Sequence, residues 1–293
     1  MRFLITGAGG FLGWRFATVL RERGHEVVAV RRRGGRARSF AAGLDAVEGD
    51  AGDPAVRQLV AGCDAVLHLA GVPDPASARA DPARAVRENA GTTLNLLEGC
   101  REHGAGLVYP STVRAAVEPP PDEYALSKRL GEEVCRHHPG PATVVRLTSV
   151  FGPGQAAAEG ATGAIATFAA RAFAGEPIVI PGNPRRTRDF LYVDDVVAAV
   201  ERLAAEARWN ETVVLASGIA TPLLRAAELV RAAAGSASMI ETPGGALPAG
   251  EDESYEAPPR ARLECVRPLD EAIAAYVDWL RSSYPASQGR PRG

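Results

Sequence analysis

The stretch TGAGGFLG, residues 6–13, limits what this chain can fold into more than any other feature. RFLIT (2–6) is an apolar run that reads as a buried strand, and the residues after the glycines read as a helix ending near Arg23. Gly7, Gly10 and Gly13 stand between them in the spacing GxxGxxG. Glycine permits a tight turn at positive φ. It also lets the backbone approach a pyrophosphate, while the helix that follows offers free N–H groups and positive potential. A strand before and a helix after are the context in which such spacing indicates a dinucleotide site.

The rest of the first 150 residues repeats the alternation. EVVAV (26–30), DAVLHLA (64–70), LVYPS (107–111) and TVVRLTSV (143–150) read as strands, with helices over 82–103 and 123–138. Continuous apolar strands separated by helices predict an α/β fold with a parallel sheet covered on both faces. After Phe151 the pattern changes. GPGQAAAEGATG reads as a loop, 164–174 as a helix, and 188–207 as a strand turning into a helix with Asp194 or Asp195 near its start, where the helix dipole favours anions. TPLLRAAELVRAAAG (221–235) is another amphipathic helix, and 242–259 is too rich in Gly, Pro and acids to be regular. The expected division is a dinucleotide-binding domain over 1–150 to which 188–216 returns, a smaller lobe over 151–187 and 217–285, and a flexible tail over 286–293.

Composition excludes several functions. A net charge of -2 gives no support for a nucleic-acid or anionic-membrane partner. No run approaches 18 apolar residues and the start lacks a leader pattern, so a cytoplasmic location is expected. Cys63, Cys100, Cys135 and Cys265 form no CxxC pair and read as small buried hydrophobes in a reducing compartment. The five histidines show no metal-ligand spacing, so no metal is expected. At the end of the second strand, an acid would bind the ribose 2′-OH of NAD, and an Arg would accommodate the 2′-phosphate of NADP. This chain has AVRRRGGRAR there, so Arg31 and Arg32 favour NADP(H) over NAD(H).

TGAGGFLG, GDAGD, HLAG, NAGTTLNLLEGC, ST, YALSK, VRLTSVFGPG and RDFLYVDDV occur in this order over residues 2–205. In these motifs the chain resembles the extended short-chain dehydrogenase/reductases, in the branch of nucleotide-sugar epimerases and dehydratases. The resemblance implies a doubly wound parallel sheet (a Rossmann fold) with a smaller C-terminal substrate-binding lobe. It implies that Gly7, Gly10, Phe11, Leu12, Gly13, Leu69, Ala70 and Gly71 line the cofactor and that Asp50 and Ala51 contact its adenine. Asn89 would support the sheet near the active site. Thr112, Tyr124 and Lys128 would be the catalytic group, with Tyr124 and Lys128 also touching the cofactor. Arg188 would hold a substrate phosphate, and Ser149 stands where many epimerases have an Asn that touches the diphosphate. Helices 82–103 and 123–138 resemble those that pair subunits in the family, which implies a homodimer.

The residues support the catalytic assignment independently. Of 33 basic residues, the single Lys is Lys128, four positions after Tyr124. That spacing puts both on one helix face. A phenol needs to move about 3 pK units, or about 4 kcal/mol, to act as a base at neutral pH. One ammonium at about 4 Å in an effective dielectric near 20 supplies about that much. Lys128 is therefore expected to lower Tyr124, and its rotatable donors suit a ribose better than a flat guanidinium does.

Three departures narrow the chemistry. Tyr124 follows Thr112 by 12 positions, roughly half the family's usual spacing, across a Pro-rich loop. Val113 and Arg114 occupy the places of the acidic pair of the dehydratases, which disfavours dehydration. Ser149 replaces the Asn. The leading expectation is hydride transfer at a sugar carbon, as a 4-ketoreductase or 4-epimerase of a nucleoside-diphosphate sugar with Tyr124 as acid/base. The alternatives are an NADPH-dependent reductase of a non-sugar carbonyl compound and a non-catalytic dinucleotide-binding regulator.

Overall fold

The computed structural model describes residues 1–34, 44–155, 163–247, 254, 255, 257, 263 and 266–283. Cys265, the tail 286–293 and parts of the two loops expected after Phe151 and over 242–259 lie outside the described residues. By their internal contacts the residues fall into two compact units: Met1–Leu147 with Val196–Leu215, and Thr148–Asp195 with Ala216–Gly293.

The first unit is built on seven strands: β1 (Arg2–Thr6), β2 (Glu26–Arg31), β3 (Val47–Glu48), β4 (Ala65–His68), β5 (Gly106–Thr112), β6 (Ala142–Leu147) and, later in the chain, β10 (Thr212–Leu215). Their order is β10-β6-β5-β4-β1-β2-β3, and every pairing is parallel. This is the doubly wound order, in which the direction of strand addition reverses between β1 and β4. The reversal leaves a crevice at the carboxyl ends of those two strands. Registers Thr6↔His68 and Thr6↔Val30 place the residues after β1, β2 and β4 side by side there. The helices of this unit are α1 (Phe11–Glu22), α2 (Pro54–Gln58), α3 (Pro75–Ala80), α4 (Pro82–Val86), α5 (Thr92–His103), α6 (Glu123–His137) and most of α8 (Val193–Ala205). Asp53, Asp74, Asp81 and Asp122 cap α2, α3, α4 and α6 through side-chain oxygens that accept from first-turn amides.

The helix expected over 82–103 is interrupted. A π-turn over Arg87–Gly91 separates α4 from α5 and carries the buried Asn89. The wider turn interrupts the 3.6-residue stripe, which apolar periodicity alone does not register.

The strand expected over 143–150 also divides. β6 stops at Leu147, and β7 (Ser149–Phe151) pairs with β9 (Thr187–Tyr192) in a different sheet. The break is at Thr148, whose hydroxyl donates to Asp189 Oδ1 at 3.1 Å.

The second unit holds that three-stranded sheet, ordered β11-β9-β7 with β11 (Ala220–Pro222), and a two-stranded pair of β8 (Ile178–Pro181) with β12 (Ile240–Gly244). β12 places regular structure in the start of the segment expected to be irregular. α7 (Ala164–Ala174), α9 (Leu223–Ala234) and α10 (Leu269–Ser283) pack on this unit's core, where Phe151 meets Phe190, Tyr192 and Tyr276 edge-on. The Tyr276 hydroxyl is satisfied by donating to the Gln155 carbonyl at 2.6 Å.

Candidate active site

The glycine turn is sterically obligatory. Gly7 has φ +71°, and a Cβ there would lie 2.6 Å from the Ala70 amide nitrogen. A Cβ on Gly13 would overlap the Gly7 carbonyl. Only glycine lets α1, β1 and the segment after β4 come this close. Ala8 donates to Val30 O at 2.9 Å and Gly10 to Gly7 O at 2.9 Å, which fixes the turn against β2. Gly10, the residue before α1, makes no side-chain cap, so the first-turn amides with half-buried Phe11 and Leu12 stay available to an anion. These features fit a dinucleotide pyrophosphate.

A buried hydrogen-bond chain holds the facing segment. His68 bridges Thr6 Oγ1 at 2.8 Å and Thr92 Oγ1 at 3.0 Å, and Ala70 N donates to Thr6 Oγ1 at 3.2 Å. Burial, with the Lys128 charge adding, pushes His68 down to about 3, so the ring is neutral at ordinary pH. Leu69, Ala70 and Gly71 are thereby set opposite the glycine turn. Gly71 cannot carry a Cβ because Asn89 Oδ1 occupies that space.

At the end of β2, Arg31 faces Glu48 at 3.5 Å, and Arg32 pairs with Glu88 at 2.9 Å and with Asp50 at 3.6 Å. Asp50 Oδ1 accepts from Gly52 N at 2.9 Å, and the Ala51 carbonyl accepts from Asn95 at 2.8 Å. The structure thus brings Gly7, Gly10, Gly13, Arg31, Arg32, Asp50, Ala51 and Leu69–Gly71 to the carboxyl end of one sheet.

Thr112 ends β5 with its side chain nearly buried, and its Oγ1 accepts from Arg114 N at 3.3 Å. Tyr124 sits in the first turn of α6, its ring packed on Val72, Ala78 and Ala85. Lys128, one turn on, donates to the Pro110 carbonyl at 2.9 Å and lies 4.9 Å from the centre of the Tyr109 ring. Asn89 ties the group together. Its side chain exchanges hydrogen bonds with Val72 N and O at 2.9 and 3.1 Å and donates to Ser127 Oγ at 2.9 Å. Ser127 in turn donates to the Tyr124 carbonyl at 2.8 Å, and the Asn89 carbonyl accepts from Tyr109 Oη at 2.7 Å.

The electrostatics differ from the expectation that Lys128 lowers the phenol. Burial pushes the Tyr124 phenol well above its ordinary value; Asp74 and Asp122 add to the rise, and Arg114 opposes it. Arg114 is held there by an ion pair with Asp122, the residue that caps α6. Lys128 is itself pulled down to about 8 by burial, with Cys135 and Glu132 opposing. Desolvation of the phenol, which the spacing of Tyr124 and Lys128 does not register, dominates once the ring is packed.

Sequence reasoning missed a second polar cluster beneath this group. Glu132, fully buried, accepts from Ser111 Oγ at 2.5 Å and from Arg146 at 3.0 and 2.6 Å. Its place four residues beyond Lys128, on the same helix face, was the available signal.

The remaining two residues belong to the second unit. Ser149 opens β7, and half-buried Arg188 lies in β9, where its Nη1 donates to the Thr187 carbonyl at 2.9 Å. Asp189, nearly fully buried, faces the other way and accepts from the amides of Ser217 and Gly218, each at 2.8 Å. Arg186 is buried and donates to the carbonyls of Pro181 and Asn183. Among the described residues, no group of His, Cys, Asp or Glu could hold a metal ion, and no helix is long and apolar enough to cross a membrane.

A model of the NAD dependent epimerase/dehydratase family matches residues 3–216. The chain is 26% identical to UDP-glucuronic acid decarboxylase 1 of Danio rerio over 95% of its own length and 72% of that protein. It is 29% identical to dTDP-4-dehydro-6-deoxy-D-allose reductase of Streptomyces bikiniensis, over 81% of this chain and 82% of that one. Among solved structures it is similar to UDP-glucose 4-epimerase of Thermotoga maritima with UDP-glucose, at 25% identity and a TM-score of 0.83, covering 97% of this chain and 99% of the other.

Proposed function

The chain belongs to the NAD dependent epimerase/dehydratase family, and from that membership we propose that it is an enzyme that moves hydride at C4 of a nucleoside-diphosphate sugar. The observation that carries this reading is the convergence of Thr112, Tyr124 and Lys128 with the glycine turn at the carboxyl ends of one parallel sheet. The relatives that act on nucleotide sugars as reductase or epimerase support the substrate class.

The dinucleotide, when bound on the turn of Gly7, Gly10 and Gly13, supplies or accepts the hydride. The chain's own residues handle the oxygen. Tyr124 delivers a proton to it, or removes one. Thr112 donates a hydrogen bond that holds it in place. Lys128 is anchored by Pro110 O and presents its other N–H groups to the ribose. Arg188 and Ser149 take the diphosphate. Burial raises the phenol above its ordinary value, so the protein's own groups hold it protonated at neutral pH. That suits donation to a 4-keto sugar, the ketoreductase direction.

Arg31 and Arg32 support NADP(H) over NAD(H), although each would have to leave an acidic partner to reach a 2′-phosphate. Val86, Leu94, Leu126 and Leu130 are large apolar residues exposed on α4, α5 and α6, and they support a homodimer formed through these helices. The free, buried Cys63, Cys100 and Cys135 support a reducing compartment, and we take the location to be cytoplasmic.

The test supplies a nucleoside-diphosphate 4-keto sugar with stoichiometric NADPH, and the corresponding hexose with catalytic NAD. Net oxidation of NADPH with the first supports the reductase. Interconversion of the second without net cofactor change would replace it by the epimerase, and neither activity would overturn the reading.

A further inference from the structure

We propose that the buried Ser111–Glu132–Arg146 cluster is the positioning device of this site: it locks the helix of Tyr124 and Lys128 onto the strand of Thr112 and sets a carboxylate one helical turn from the Lys128 amine. The inference extends the proposed function to three residues that touch neither substrate nor cofactor.

The geometry is that of a clamp. Ser111 in β5 and Arg146 in β6 are register partners on adjacent strands. Both reach the carboxylate of Glu132 in α6: Ser111 Oγ donates to Oε1 at 2.5 Å, Arg146 Nε to Oε1 at 3.0 Å and Arg146 Nη2 to Oε2 at 2.6 Å. The Glu132 side chain is 1% exposed and that of Arg146 21%. A buried ion pair of this kind seldom adds net stability over a packed apolar pair, so its function is better sought in geometry and charge. Tyr124, Lys128 and Glu132 recur every four residues, so fixing Glu132 fixes the rotation of the stripe that carries the other two. The helix also passes very close to the strand here. A Cβ on Gly131 would overlap the Tyr109 hydroxyl, so the helix cannot roll without a clash.

The second role is electrostatic. Lys128 lies against the Tyr109 ring and the Pro110 carbonyl on β5, and its charge is felt by neutral His68 on β4 and by Glu132 and Cys135 on α6, with Arg146 on β6 behind Glu132. Burial pulls the amine down to about 8, and Glu132 acts against that fall. Without the carboxylate, the amine would lose its proton lower in the pH range.

The chain's single lysine makes this directly measurable. Protein labelled with 13C-lysine gives one side-chain Cε resonance to follow against pH. The native midpoint is expected near 8, as the burial implies. In Glu132→Gln it falls by about one unit, an interaction of about 1.4 kcal/mol. The double variant Glu132→Gln/Arg146→Gln removes both charges of the pair and keeps the low midpoint. Ser111→Ala keeps the carboxylate charge, so its midpoint stays native while kcat falls about tenfold, or about 1.4 kcal/mol, at unchanged substrate KM. If Glu132→Gln does not fold, the double variant decides the electrostatic claim. An unchanged midpoint in whichever variant folds overturns it, and a Ser111→Ala enzyme with native kcat overturns the clamp. Absence of any nucleotide-sugar activity in the native protein would overturn the proposed function instead, and the titration would still stand.

Discussion

The two units carry their candidate functional residues in different ways. In the first, the candidate dinucleotide and proton-transfer residues are set by backbone: glycines where a Cβ would collide, and side chains one helical turn apart. In the second, Ser149 and Arg188 stand on short strands, and Arg188 owes its orientation to a strand in which Asp189 is pinned from the other face by Ser217, Gly218 and Thr148. The first arrangement is local in sequence. The second is assembled from segments far apart in the chain.

If that contrast is right, the most damaging change lies in the glycine turn. Gly13→Ala would force the new methyl into the Gly7 carbonyl, and overpacking of this kind costs up to about 3 kcal/mol. Calorimetry should show a lowered Tm, and titration with NAD(H) and NADP(H) a loss of at least a hundredfold in affinity. Near-native binding would mean that the turn does not seat the dinucleotide.

Acid sensitivity should also distinguish the units, because all five histidines lie in the first one. Unfolded His68 takes up a proton as pH falls through 6.5, whereas the folded ring does so only near about 3. Between those values the unfolded state binds the extra proton, so stability is present above pH 6.5 and is lost toward pH 3 at about 1.4 kcal/mol per unit. Denaturant titrations from pH 7 to 4 should show this slope, and His68→Gln should flatten it. An equal slope in the variant would remove His68 from the account.

Arg188→Ala sharpens the comparison from the other side. Loss of a charge-assisted hydrogen bond costs about 1.5–3 kcal/mol, so nucleoside-diphosphate affinity should fall about ten- to a hundredfold. Dinucleotide affinity should not change. A parallel loss of both would end the division of labour. The smallest effect belongs to Arg32→Ala. The side chain is half exposed and already paired with Glu88, so the NADP/NAD affinity ratio should fall only a fewfold, by about 1 kcal/mol or less. An unchanged ratio would leave Arg31 as the discriminating residue.

The same contrast explains what was legible beforehand. β1, α7 and the start of α6 match the sequence reading to the residue, because each is marked by a glycine, a cap or an uninterrupted apolar period. The division at Thr148 and the π-turn at Asn89 were invisible, because each depends on a partner distant in sequence: Asp189 for one, Val72 and Ser127 for the other. β10 and β11, short strands of three or four residues, left no period to detect. Spacing marks Tyr124 and Lys128 as candidates, and the family resemblance alone marks Thr112. The environment of the phenol was not, since Asp74, Arg114 and Asp122 reach it from a loop, a 3₁₀ turn and a cap.

The central claim is that Tyr124 exchanges a proton with the substrate oxygen as hydride moves beside it. Single-turnover hydride transfer by Tyr124→Phe, followed by nicotinamide absorbance with a nucleoside-diphosphate 4-keto sugar, tests it most directly. The account predicts a rate about 10²–10⁴-fold below native, the usual contribution of a general acid, with Tm unchanged. A variant that transfers hydride at the native rate would contradict it.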